Sequence, residues 1–248
     1  MEMEYVTTIC PYCGTGCGLN LIVMDGKAAG VAPYHRSPVG SGKLCTRGLH
    51  AAKALCEWRI EKPFVRGAQQ EWDTALAEAK KLANYSGEEI AVAISSRLTN
   101  EAMFLAVSYA REVLGAAHIG VVGGGTGKST AKIADLARAD VLLLIGDVMK
   151  KLPVTGNKLC YARSTGGKLL YLGPESYTAI QADTTIITDT CTDLPVEFAE
   201  ALGAAANPVV VYLADDTAAA AIAAGLSAKT AVLYGTNNGR GAVALDLG

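Results

Sequence analysis

Four of the seven cysteines crowd into the first 45 residues, as Cys10, Cys13, Cys17 and Cys45, in the pattern C-x2-C-x3-C-x27-C. Thiolates two and three residues apart reach a common centre only if the chain wraps that centre as a loop. Gly14, Gly16 and Gly18 supply the positive φ and the close backbone approach that such a wrap requires. Their N–H groups would then point toward sulfur and offset part of the thiolate charge. The fourth thiol comes from a second loop, Gly40-Ser41-Gly42-Lys43-Leu44-Cys45-Thr46-Arg47-Gly48. Four thiolates in this asymmetric spacing suit a [4Fe-4S] cube. A structural zinc ion is the alternative, although zinc more often takes two C-x2-4-C knuckles; unliganded thiols rank behind both. Cys56, Cys160 and Cys191 lack any short spacing and read as small buried hydrophobes. His35 and His50 flank the loops, but four thiolates already complete a cube, so both read as surface or hydrogen-bonded side chains.

Positioning these loops falls to the rest of the chain, which alternates β-branched runs with helical patterns. The runs 90–94, 119–122, 141–145, 169–172, 185–188, 209–213 and 231–234 are expected to be strands. The segments 74–83, 101–114, 130–137, 156–163, 194–202 and 217–224 are expected to be helices between them. Such alternation, with short glycine-rich joints, predicts an α/β fold with parallel strands and helices on both faces. The chain is therefore expected to divide at Pro63. Residues 1–62 form a small, loop-rich [4Fe-4S] cluster module, and residues 63–248 a doubly wound, mostly parallel, Rossmann-like region.

Composition narrows the partners. Among 248 residues, 22 are basic and 24 acidic, and the resulting net charge of −2 argues against a nucleic acid or membrane surface recruited by field alone. No run approaches the length of a membrane span. The acidic start Met1-Glu2-Met3-Glu4-Tyr5 lacks the basic and apolar regions of a signal peptide, so a cytoplasmic location is expected. In that compartment, clustered thiols bind metal or do redox chemistry rather than pair as disulfides.

The stretch Thr8-Ile9-Cys10-Pro11-Tyr12-Cys13-Gly14-Thr15-Gly16-Cys17-Gly18-Leu19, together with Gly42-Lys43-Leu44-Cys45-Thr46-Arg47-Gly48, resembles the N-terminal iron–sulfur module of the molybdopterin oxidoreductases. Within them it is most similar to the catalytic (alpha) subunits of formate dehydrogenases. Trp72-Asp73-Thr74-Ala75-Leu76, Ser95-Ser96-Arg97-Leu98-Thr99-Asn100-Glu101, residues 139–146 and Asn237-Asn238-Gly239-Arg240-Gly241-Ala242 also have counterparts there. The resemblance implies one [4Fe-4S] cluster on Cys10, Cys13, Cys17 and Cys45. It gives Arg47 a position, usually Lys, between cluster and pterin. A permanent charge there would hold up the cluster's potential or contact a partner's cofactor; the alternative is a solvated arginine capping its turn.

The departures from that family point elsewhere. No Cys or Ser lies between Ser108 and Ser129, where the family's formate dehydrogenases place a metal-ligating cysteine or selenocysteine. Gly146-Asp147-Val148 stands in place of G-S-N, and Gly173-Pro174-Glu175 in place of D-P-R. Glutamate for arginine beside a pyrophosphate turns attraction into repulsion. With Gly248 as its end, the chain is also expected to lack the family's C-terminal cofactor-binding region. The combined expectation is a [4Fe-4S] electron-transfer subunit of a larger anaerobic redox complex, without catalytic residues and without molybdopterin, molybdenum or tungsten. Its partners would be subunits carrying iron–sulfur or flavin centres, facing Pro11, Tyr12, Thr15, Arg47 and His50. An enzyme fragment completed by another chain is the first alternative. The second is nucleotide binding, because residues 123–130 imitate a phosphate-binding loop between a strand and a helix, although Val122 replaces the first glycine of that motif.

Overall fold

The computed structural model describes residues 2–56 and 59–246. Residues 1, 57–58 and 247–248, which fall within the two expected domains, lie outside the described residues.

The chain opens with an antiparallel meander of β1 (Met3–Ile9), β2 (Gly18–Met24) and β3 (Lys27–Pro33), paired in that order. Asp25 and Gly26, both at positive φ, make the two-residue turn between β2 and β3 that matches strand twist. The opposite end of the first hairpin is the cysteine loop. Ile9 pairs with Gly18, and the Cys10 N–H extends the ladder by donating to the Cys17 carbonyl at 2.8 Å. The expected loop-rich module therefore hangs from strands that hydrophobic patterning does not reveal, because every residue of β1 is exposed. Short helices Thr46–Leu49 and Ala51–Cys56 follow the second loop, and the latter packs on β3.

After the small hairpin of β4 (Phe64–Val65) and β5 (Ala68–Gln69) comes a parallel pair, β6 (Ala91–Ser95) and β7 (His118–Val122). Its crossover helix Asn100–Ser108 is capped by Thr99, whose Oγ1 accepts the Ala102 N–H at 3.2 Å. Ile94, Met103, Val107 and Ala242 close the core beneath it.

The largest unit is a five-stranded, wholly parallel sheet. Its strands β8 (Val141–Ile145), β9 (Lys168–Gly173), β10 (Thr184–Ile187), β11 (Pro208–Leu213) and β12 (Lys229–Leu233) lie in the order β10-β9-β8-β11-β12. Leu142, Leu144, Leu169, Tyr171, Val209 and Val211 meet Leu159 and Ala162 of helix Pro153–Ser164 on one face. Leu143, Ile145, Leu170, Leu172, Val210 and Tyr212 meet Phe198 and Leu202 of helix Val196–Ala204 on the other. Burial on both faces explains why these strands read as unbroken apolar runs rather than alternating ones. The chain winds outward from β8 to β10, then returns to lay β11 on the other side of β8. This puts the topological switch point at the carboxyl ends of β8 and β11.

Two expectations are corrected. The α/β alternation holds, but the seven expected strands are not in one sheet: among the described residues β6 and β7 pair only with each other. The expected helix over 130–137 shrinks to Ile133–Leu136, because the preceding segment is drawn out along β12. The N–H groups of Thr130 and Ala131 both donate to the Thr230 carbonyl at 2.9 Å, and the Val232 N–H donates to Ser129 Oγ at 2.9 Å.

Candidate metal centre

The hairpin loop brings Cys10, Cys13 and Cys17 to one cavity, and the second loop adds Cys45 from the far side. Tyr12, Thr15, Leu44, Gly48, Pro153 and Val154 complete the walls of a cavity that is tight in this structure, about 10 Å³. Cys10, Cys13 and Cys17 are buried, and Cys45 is half-buried. Gly48 lies against the first cysteine: a Cβ there would stand in ordinary contact with the Cys10 sulfur, 3.7 Å away. Gly14 seats the hairpin on the end of β12, donating its N–H to the Tyr234 carbonyl at 2.9 Å, and a Cβ there would collide with Tyr234 at 2.8 Å.

Side-chain bonds fix the two loops to each other and to the large sheet. Ser37 Oγ accepts the N–H of Gly18 at 3.2 Å and of Gly40 at 3.3 Å, tying hairpin to second loop. Thr15 Oγ1 lies 3.5 Å from the Cys13 sulfur and 3.0 Å from Thr155 Oγ1 on helix Pro153–Ser164. Thr15 is thus buried within its own chain, contrary to its expected place on a partner-facing surface. Arg97, from the turn after β6, donates to the carbonyls of Pro11 at 3.2 Å and Tyr12 at 3.3 Å. Residue type and spacing do not single out Thr155 or Arg97, because each meets the loops only through the tertiary fold.

The thiols are desolvated and crowd one another. Burial pushes the Cys17 thiol up to about 12, and repulsion from Cys13, Cys10 and Cys45 adds to it. Burial also raises Cys10; a hydrogen bond from the Tyr12 N–H opposes the rise, Cys13 and Cys45 add to it, and Arg47 opposes it. Four soft sulfur donors around one enclosed space fit an iron–sulfur core, whose positive metal ions would remove both penalties. The sulfurs stand around a space rather than on a point. Among the described residues, no three His, Cys, Asp or Glu side chains are grouped to hold one metal ion.

Arg47 is exposed, and its Nη2 donates to the Lys151 carbonyl at 2.7 Å. Together with Cys45, Lys150, Lys151 and Asp147 it lines an open groove beside the cavity, at the carboxyl end of β8. Asp147 is held there by Thr178, whose Oγ1 donates to it at 2.7 Å. His50 Nδ1 pairs with the Thr46 carbonyl at 2.8 Å, a hydrogen-bonded role as expected. Cys160 and Cys191 pack against the two faces of the large sheet, whereas Cys56 is exposed rather than buried. The nucleotide-loop alternative loses its geometry. The Thr126, Thr130 and Ala131 N–H groups are spent on Ala214 and Thr230 carbonyls, and no helix opens at Ser129 to present free donors to a phosphate.

Comparison with known proteins bears on the same region. Residues 3–55 match the molybdopterin oxidoreductase Fe4S4 domain. The chain is 34% identical over 205 residues to F420-dependent formate dehydrogenase 1 subunit alpha of Methanococcus maripaludis, covering 74% of this chain and 30% of that protein. It is 33% identical over 195 residues to the corresponding subunit of Methanocaldococcus jannaschii, covering 70% and 29%. A putative formate dehydrogenase of Staphylococcus haemolyticus is 28% identical over 196 residues, covering 69% and 20%. The chain thus spans less than a third of the length of these relatives. Among the described residues, no helix is long and apolar enough to cross a membrane.

Proposed function

We propose that this chain, whose residues 3–55 are a molybdopterin oxidoreductase Fe4S4 domain and which is homologous to the N-terminal part of formate dehydrogenase alpha subunits, carries electrons through one [4Fe-4S] cluster. Cys10, Cys13, Cys17 and Cys45 would ligate the iron, and Arg47 would set a positive charge beside the cluster. The observation that carries this reading is the convergence of four thiols from two loops on one enclosed space. When bound, the cluster supplies one-electron chemistry. The chain's own residues exclude water from it with Tyr12, Leu44 and Val154, hold the hairpin with Thr15, Ser37 and Arg97, and set positive charge beside the sulfurs. The division at Pro63 into a cluster module of 1–62 and an α/β region of 63–248, a cytoplasmic location, and partner subunits with iron–sulfur or flavin centres belong to the same proposal.

A second reading is favoured by the groove. Arg47, Lys150 and Lys151 gather positive charge at the switch point of a parallel sheet, the usual place for an anionic ligand in such folds. A polypeptide completing an enzyme would place its molybdenum or tungsten pterin there. Formate separates the two readings. Dithionite should reduce the cluster in the assembly purified with its partner chains and formate should not; reduction by formate with molybdenum or tungsten stoichiometric with this chain would replace the relay with the enzyme fragment.

A further inference from the structure

Arg97 reaches the cysteine loop from far along the chain. Its own turn is fixed from three sides. The Leu98 N–H donates to the Ser95 carbonyl at 3.2 Å, and Ser96 Oγ lies within hydrogen-bond reach of the carbonyls of Gly123 at 2.8 Å and Val122 at 3.0 Å. Asn238 Nδ2 donates to the Leu98 carbonyl at 2.9 Å. From this base Nη1 of Arg97 meets the oxygens of Pro11 and Tyr12, and none of the ion pairs among the described residues involves it. Among the described residues, no carboxylate pairs with its charge.

Pro11 and Tyr12 stand between Cys10 and Cys13, and their carbonyls seat the guanidinium on the cysteine loop. The Tyr12 backbone opposes the rise that burial gives the Cys10 thiol, and a cation on the Pro11 oxygen polarises that peptide and strengthens its N–H as a donor. Positive charge and hydrogen-bond donors beside cluster sulfur stabilise the reduced, more negative core and raise its potential. We propose that Arg97 is a positioning residue that raises the reduction potential of the cluster from its seat on the Pro11 and Tyr12 carbonyls. The inference rests on the cluster reading above, and on Cys10 being one of its ligands.

The test uses the anaerobically purified chain and three variants, the neutral Arg97→Gln and Arg97→Met and the conservative Arg97→Lys. Iron content of the unmutated chain tests the cluster reading by itself, before any variant is compared. Potentials are then read by dithionite titration with electron paramagnetic resonance; one electron enters the cluster and no bond is made or broken. At the midpoint of the unmutated protein, the reduced-to-oxidised ratio should fall about tenfold in the neutral variants, equivalent to about 59 mV for a one-electron couple. Arg97→Lys should recover part of that shift. Iron–sulfur(Cys) stretching bands should move to higher frequency in the neutral variants as the N–H···S bond weakens. Full iron with an unchanged midpoint in either neutral variant overturns the proposal. Loss of iron from both neutral variants also overturns it, since Arg97 would then hold the loop together rather than tune it.

Discussion

The cysteine hairpin and the five-stranded sheet stay folded by opposite means. In the sheet, Leu142, Leu143, Leu144 and Ile145 are four consecutive residues without exposed surface, two for each face. Burying side chains of this size contributes roughly 1.5–3 kcal/mol each, so the sheet needs no cofactor to close its core. The hairpin has no such reserve. All seven residues of β1 are exposed, and the cluster of buried side chains at its tip is Cys10, Cys17, Leu19, Ala51 and Val154. Two of those five are thiols whose ionisation burial and mutual repulsion oppose. On the proposed reading, iron does for the hairpin what leucine packing does for the sheet. A fold can thus keep its metal dependence local, in one third of the chain or less, while the remainder stands alone.

The largest effect expected from this contrast is on the hairpin alone. Cys17→Ala should abolish bound iron and the ~400 nm charge-transfer absorbance, and strip hydrogen-exchange protection from β1 and β2. Protection in β8 and β11 should persist. Loss of protection in both regions at once would mean that they fold as a single unit. The reverse experiment is Leu143→Ala, which opens a cavity in the sheet and should lower stability by about 2–5 kcal/mol in thermal or denaturant melts. Below the lowered transition the variant should retain its full iron content; loss of iron in the cold would erase the contrast.

A smaller effect is expected where the regions touch. The buried pair of Thr15 Oγ1 and Thr155 Oγ1, at 3.0 Å, links the cysteine loop to helix Pro153–Ser164. Thr155→Val leaves one hydroxyl without its partner and should cost about 1–3 kcal/mol. A double-mutant cycle with Thr15→Val should recover part of this, and strict additivity would show that the pair carries no coupling.

Smallest of all is a change confined to the sheet. Asp140 precedes β8 and accepts the Ala206 N–H at 2.7 Å and the Asn207 N–H at 2.9 Å, fastening the start of β11. Burial pushes its carboxyl up, but the Asn207 and Ala206 N–H groups outweigh this and hold it below its ordinary value of 3.8. Its contribution is therefore present above pH 3.8 and lost as pH falls through the lowered value. Asp140→Asn should cost about 1 kcal/mol at neutral pH, discounted for partial solvent exposure, and should flatten the acid limb of the stability curve. Unchanged acid behaviour would assign that limb to other carboxylates.

What could be read from the sequence divides along the same line. Val141–Ile145 and Pro208–Leu213 announce themselves because strands buried on both faces are apolar throughout. The cysteine loops announce themselves because sulfur spacing is chemistry, not packing. Met3–Ile9 is silent as a strand since it has no buried face to set a period. Residues 130–137 have helical spacing, but Thr230 and Val232, a hundred residues on, draw the beginning of that segment out along β12. Thr155 and Arg97 belong to the site only through contacts 140 and 86 residues away in sequence, and no local signal encodes those.

The central claim is a four-thiolate iron–sulfur cluster that relays electrons. Its most direct test is iron, acid-labile sulfide, zinc and molybdenum or tungsten measured on the anaerobically purified chain, with electron paramagnetic resonance after dithionite. About four iron and four sulfide per chain, a paramagnetic reduced cluster, and no stoichiometric molybdenum or tungsten are the predicted result. One zinc per chain without sulfide, or a diamagnetic sample after reduction, would contradict it.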